Sequence, residues 1–132
     1  MTTVFVIDDE REMVDLIALG LKKRGFSIMP FTNGTDALNY LFGKDGTGVD
    51  HKGNALLILL DLNLPDTTGI EILKRVKENK YLKSTPVVVL TTTDDSHEIK
   101  RCYELGCNVY ITKPVNYESF ANAIRQLGLF FS

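Results

Sequence analysis

Apolar residues fall along this chain in two alternating rhythms. Short unbroken runs, such as Val4-Phe5-Val6-Ile7, Ala55-Leu56-Leu57-Ile58-Leu59-Leu60 and Val87-Val88-Val89-Leu90, are bounded by polar or turn-forming residues. A run of this kind is what a strand covered on both faces looks like. Between the runs, apolar positions recur with helical spacing. Residues 11–24 carry Met13, Leu16, Ile17 and Leu21, with small Gly20 among them, and Gly25 is placed to end that helix. Further helices are predicted over 35–42 (Ala37, Leu38, Leu41), 69–79 (Ile70, Leu73, Val76), 96–105 (stopping at Gly106) and 117–127 (Phe120, Ala123, Ile124, Leu127).

Two more strands complete the alternation. Residues 26–31 read as a weaker strand, and Pro30 near its end suits a sheet edge. Residues 86–90 and 107–111 read as the fourth and fifth strands. Five strands alternating with five helices predict an α/β fold, a doubly wound parallel five-stranded sheet with helices on both faces. Right-handed crossovers then bring every strand's carboxyl end to one edge, where open α/β sheets bind ligands.

Composition narrows the function classes. With 132 residues, 44% of them hydrophobic, the chain reads as one ordinary globular domain over 1–132. The net charge is −2, with no long run of either sign, so no nucleic-acid or membrane surface is expected. There is no secretory pattern before Val4 and no apolar run of membrane-spanning length, and a cytoplasmic location is expected. Cys102 and Cys107 are too few for a zinc site and read as buried apolar groups in a reducing compartment. Residues 43–53 are rich in Gly, Asp and Lys; they read as a solvated loop whose His51 has no chemical role. A phosphate loop would need the strand before its glycines, and here that order is reversed.

The residues predicted at the strand ends are the informative ones. They are Asp8 and Asp9 after the first strand, Asp61 after the third, Thr91 after the fourth and Lys113 after the fifth. Asp61 alone would pass for an N-cap or Asx-turn residue. Together the carboxylates pose an electrostatic problem, since two of them about 5 Å apart repel by roughly 3 kcal/mol at an effective dielectric near 20. Such a cluster raises a pKa or holds a hard divalent cation, and an all-oxygen set suits Mg²⁺ or Mn²⁺ better than zinc. A cation with Lys113 beside it makes a pocket for a phosphoryl group. Thr91 can donate to that group, and one carboxylate is left to attack phosphorus, which is acyl-phosphate chemistry.

From Val4 to the last helix the chain resembles the receiver domain of two-component response regulators. The resemblance rests on Asp8-Asp9, on Asp61-Leu62-Asn63-Leu64-Pro65 with Gly69, on Leu90-Thr91, and on Tyr110-Ile111-Thr112-Lys113-Pro114. It implies a flavodoxin-like (βα)5 fold with strand order 2-1-3-4-5. It implies Asp61 as phosphoacceptor, with Mg²⁺ held by Asp9, Asp61, the backbone carbonyl of Asn63 and, through water, Asp8. Lys113 would pair with the phosphoryl oxygens, and Thr91 and Tyr110 would form the switch. The Lys113–Pro114 bond resembles the family's cis peptide, and Asn63 and Thr93 occupy positions that tune dephosphorylation. Thr92 stands where the family often has a smaller residue, which implies narrower access to the phosphoryl group. Asp61 to Asp66, Pro86 to Thr92 and Asn108 to Pro114 are also similar to single-domain regulators associated with bacterial phytochromes.

The resemblance implies a stand-alone regulator and phosphoacceptor, not an enzyme, with no output domain. Its partners would be a sensor histidine kinase, a bacteriophytochrome among the candidates, and a downstream protein target or phosphotransfer protein. Leu129-Phe130-Phe131 either cap the core or extend the fifth helix into a homodimer contact on the face of helix four, strand five and helix five. Three other classes compete. A flavodoxin-type carrier would need a phosphate-binding loop where Asp8-Asp9-Glu10 stand. An aspartyl phosphatase usually needs an acid where Asn63 stands, and a pseudo-receiver would keep the fold without the phosphorylation.

Overall fold

The computed structural model describes residues 3–43, 55–80, 82–92, 95–113 and 117–126. Strands β1 (Thr3–Ile7), β2 (Ser27–Phe31), β3 (Ala55–Asp61), β4 (Val87–Thr91) and β5 (Val109–Thr112) alternate with helices. The helices are α1 (Arg11–Lys23), α2 (Gly34–Phe42), α3 (Gly69–Glu78), α4 (Ser96–Glu104) and α5 (Tyr117–Gln126). The strands form one sheet in the order β2-β1-β3-β4-β5, and every pairing is parallel. The alternation expected from the hydrophobic pattern is therefore the one observed.

Two apolar layers account for the unbroken strand runs. Val4, Val6, Leu57, Leu59, Val88 and Leu90 point to a layer filled by Val14, Ile17 and Leu21 of α1 and Phe120 of α5. Phe5, Ile7, Ile58, Leu60, Val87 and Val89 point to the other face, against α2, α3 and α4. Successive strand residues face opposite ways, so a strand covered on both sides has no polar position to spare. Cys102 and Cys107 are buried free thiols in the second layer.

Several details differ from the sequence reading. On α1 the buried stripe is Val14, Ile17 and Leu21, while Leu16 is 50% exposed. Leu16 and Ile17 are neighbours separated by 100° of helical turn, and on this helix it is Ile17 that faces the sheet. On α3, Ile72 is fully buried beside Leu73 and Val76, and Ile70 is only partly buried. Strand β5 begins at Val109, two residues later than the run of apolar residues suggests. The cause is that Gly106 takes a φ of +106° and Cys107 N–H still donates to Cys102 O, closing α4. His51, Thr93, Pro114 and with it the expected cis bond, Leu127 and Leu129-Phe130-Phe131 lie outside the described residues.

Candidate functional site

Strand register assembles the site. Ile7 pairs with Leu60, Asp61 with Leu90, and Thr91 with Thr112. The next residue along β1 is Asp8, level with Asp61, and the next along β5 is Lys113. Two backbone bonds hold the corners: Asp8 N–H donates to Phe31 O at 2.9 Å, and Lys113 N–H to Thr91 O at 2.7 Å. Asp8, Asp61, Thr91 and Lys113 thus meet at the carboxyl edge because parallel strands all end there.

Asp8 and Asp61 divide their oxygens in the same way. Oδ1 of Asp8 accepts from Glu10 N–H at 2.8 Å, and Oδ1 of Asp61 from Asn63 N–H at 3.0 Å. Those are Asx-type turns, so the local reading of Asp61 is correct as far as one oxygen goes. The other oxygens turn inward. Lys113 Nζ lies 3.0 Å from Asp8 Oδ2 and donates to Asp61 Oδ2 at 3.2 Å. Glu10 Oε1 is 3.6 Å from the same ammonium, from a much more exposed position.

Burial makes this charge balance uneasy. Asp8 is 1% and Asp61 3% exposed. Desolvation pushes the Asp8 carboxyl up to about 6, only partly offset by the Glu10 N–H and by Lys113, and the Asp61 charge pushes the same way. Burial alone would lower the Lys113 ammonium, but the Asp8 and Asp61 carboxylates outweigh it and hold it above its ordinary value. Asp8 Oδ2, though close to Lys113, has no well-aligned hydrogen bond.

Those residues fit a hard cation. Oxygens of Asp8, Asp9 and Asp61 all lie within 4.8 Å of one another, with Asp9 at the exposed rim. An under-satisfied buried carboxylate oxygen beside a solvent-facing one is a donor set for an ion that keeps part of its water shell. Asn63, two residues beyond Asp61, turns its backbone N–H to Asp61 and its side-chain amide to Thr91 Oγ1 at 3.3 Å.

All the strand-end residues singled out from the sequence are thus at one edge, and Tyr110 is half-buried on β5 against the layer of α2, α3 and α4. Three contacts at or near this edge were missed. Glu10 could have been suspected from its place next to Asp8-Asp9. The Asn63 side chain gave no signal toward Thr91, 28 residues away. Asp66 gave none toward Gly34, 32 residues away, whose N–H it accepts.

The loop between β3 and α3 is folded tightly against the strand end. Asn63 and Thr68 form an isolated antiparallel bridge, and Gly69 N–H donates to Leu62 O at 3.0 Å. A Cβ on Gly69 would lie 2.3 Å from Asp61 O and 2.7 Å from Leu62 Cα. Only glycine lets α3 start this close to the acid.

Comparison with known proteins agrees with this geometry. The chain is similar to the crystal structure of a response regulator receiver domain from Rhodospirillum rubrum, with 58% identity, a TM-score of 0.80, and coverage of 98% of this chain and 92% of that one. It is similar to the bacteriophytochrome response regulator RtBRR, with 34% identity, a TM-score of 0.80 and coverage of 98% and 80%. It is also similar to the Mn(2+)-bound form of response regulator Rcp1, with 30% identity, a TM-score of 0.77 and coverage of 97% and 92%. Among curated relatives, the regulatory protein VanRc of Enterococcus gallinarum is 33% identical over 86% of this chain, which spans 44% of that protein. Several other curated relatives are likewise matched over about half their length. The family model described as the response regulator receiver domain matches residues 4–125, and with the sheet order and the acidic edge already established, the chain belongs to that family.

Proposed function

We propose that this protein is a cytoplasmic response regulator that takes a phosphoryl group from a sensor kinase phosphohistidine onto Asp61, in a reaction that depends on Mg²⁺. The observation that carries the reading is the Lys113 ammonium set between the Oδ2 atoms of Asp8 and Asp61 at the carboxyl edge of the sheet. An oxygen of Asp61 forms a bond to phosphorus as the P–N bond of the donor breaks, and the electron pair of that bond stays with the imidazole. Asn63 N–H holds the other oxygen, which fixes the direction of attack. Lys113 moves from neutralising carboxylates to pairing with phosphoryl oxygens, while Thr91 Oγ1 donates to one of them. Asp8, Asp9, Asp61 and the Asn63 carbonyl would hold Mg²⁺, or Mn²⁺ in its place, and the bound ion would supply charge neutralisation for the transferring group.

The signal leaves through protein contacts. Movement of Thr91 toward the phosphoryl group frees space that Tyr110 takes up, which alters the surface of α4, β5 and α5. That face supports a homodimer or a downstream target, and Tyr103 on α4, 49% exposed, gives it an apolar contact point. Light scattering that finds only monomer at every concentration, with and without phosphodonor, removes the homodimer from the reading. The likeness to RtBRR supports a bacteriophytochrome as the kinase. Asn63, where a phosphatase would carry an acid, favours a lasting phosphoprotein over repeated turnover.

Intact mass after treatment with acetyl phosphate and Mg²⁺ tests the reading. Wild type is expected to gain one phosphoryl group and Asp61→Asn none. A wild type of unchanged mass overturns it.

A further inference from the structure

The tip of the loop between β3 and α3 is strapped to the start of α2. Asp66 Oδ1 accepts from Gly34 N–H and Oδ2 from Thr35 N–H, both at 2.8 Å. Helix N-termini leave their first N–H groups without partners inside the helix. Here the N-cap Asn33 takes only Asp36 N–H, so Asp66 takes the other two from across the fold. The Thr35 side chain and then the Gly34 N–H hold the Asp66 carboxyl below its ordinary value, so both contacts favour its charged form. The contact is close in the backbone as well, since a Cβ on Gly34 would lie 2.0 Å from Thr67 Cγ2.

Asp66 is exposed, and an exposed acid this well bonded is doing more than solvating a turn. Its loop begins at Asp61, carries Asn63 and returns at Thr68, where the bridge to Asn63 closes the base. That bridge links the tip's return at Thr68 directly to Asn63. We infer that Asp66 is a positioning residue for the cation and phosphoacceptor site, holding the Asn63 segment in place by tying the loop tip to the first turn of α2. The inference rests on the proposed Mg²⁺-dependent phosphorylation of Asp61 and adds to it a contact remote from the acids.

The test uses Mn²⁺ as the probe, followed by the electron-spin signal of the free ion, on the full chain. Asp66→Ala is expected to bind Mn²⁺ about tenfold more weakly, the low end for supports outside the ligand shell. Asp66→Asn, which keeps one acceptor, is expected to fall between the two. Gly34→Ala should weaken binding in the same way by driving Thr67 off. Adding Thr67→Ser removes the clashing methyl and should restore affinity to within about twofold of Thr67→Ser alone. Reciprocally, saturating Mg²⁺ should slow amide exchange at Gly34 and Thr35 in wild type and not in Asp66→Ala. If wild type binds no Mn²⁺, the underlying reading fails and this inference with it. If wild type binds and Asp66→Ala binds equally well, the strap alone is overturned. If Asp66→Ala does not fold, Gly34→Ala and its Thr67→Ser rescue decide the matter, and a Gly34→Ala affinity equal to wild type overturns the strap.

Discussion

The side-chain amide of Asn63 donates to Thr91 Oγ1 at 3.3 Å, so the hydroxyl proposed to move toward a phosphoryl group is engaged elsewhere beforehand. A long, partly buried bond of this kind contributes about 0.5–1.5 kcal/mol. Removing it with Asn63→Ala takes away one of the bonds that hold Thr91 back and should raise the fraction of molecules in which Thr91 engages the phosphoryl group. Loss of the phosphoryl group, followed by intact mass after the donor is removed, is expected to slow by about two- to tenfold. The Thr91→Ala background separates this route from any effect of Asn63 on water, because an effect that acts through Thr91 vanishes there.

A cation that binds the folded acid cluster and nothing in the unfolded chain must raise the thermal midpoint by mass action. Saturating Mg²⁺ is therefore expected to stabilise the wild type, and Asp9→Asn to remove most of the gain. Asp9 is the exposed member of the three, so its loss costs the apo protein little and the comparison stays clean. A midpoint that ignores Mg²⁺ would count against the whole donor set.

The fold was readable because its signal is a period. A strand with both faces covered must be apolar at every position, as residues 57–60 are, and a covered helix must repeat its apolar stripe. Asp8, Asp61, Thr91 and Lys113 were readable because parallel strands all deliver their carboxyl ends to one edge. The features that stayed hidden depend on side-chain direction. Nothing local distinguishes Leu16, which faces out, from Ile17, which faces in, nor tells that Asp66 reaches Gly34. The amide of Asn63 is equally silent, since its partner stands on another strand.

Gly69 tests how much the close start of α3 matters. The atoms a Cβ would meet, Asp61 O and Leu62 Cα, are backbone and cannot swing aside. Gly69→Ala must therefore push α3 or the strand end outward, at a cost of about 1–3 kcal/mol for forced overpacking. Chemical denaturation should show that loss, and Mg²⁺ stabilisation should shrink with it because Asp61 shifts too. Gly69→Ala with wild-type values of both would mean that the loop relaxes freely.

Lys113 separates holding a cation from using it. Lys113→Ala strands Asp8 and Asp61 without their shared partner, and removing one side of a buried pair costs up to about 3–5 kcal/mol. Asp8 can take up a proton, so the measured loss in the absence of metal should fall below that range. Without the competing ammonium, Mg²⁺ is expected to bind at least as tightly as in wild type and to restore most of the lost midpoint. Phosphorylation by acetyl phosphate should nonetheless slow, because the group that meets the phosphoryl oxygens is gone. Weaker Mg²⁺ binding in Lys113→Ala would contradict the electrostatic account.

Asp8 gives the pH dependence its sign. Its carboxyl is pushed up to about 6 in the fold from an ordinary 3.8. Between those values the folded chain holds a proton that the unfolded chain has released, so without divalent cation stability should fall as pH rises through this window. The stabilisation is complete below the ordinary value and gone once the pH has passed the raised one, on the order of 3 kcal/mol in all. Saturating Mg²⁺ should oppose the trend, since the ion must displace that proton and binds more tightly as pH rises through about 6. Thermal midpoints from pH 4 to 7.5, with and without Mg²⁺, check both slopes against Asp8→Asn, which keeps the acceptor for Glu10 N–H and cannot titrate. A wild type and an Asp8→Asn with parallel profiles would show that another group carries the proton.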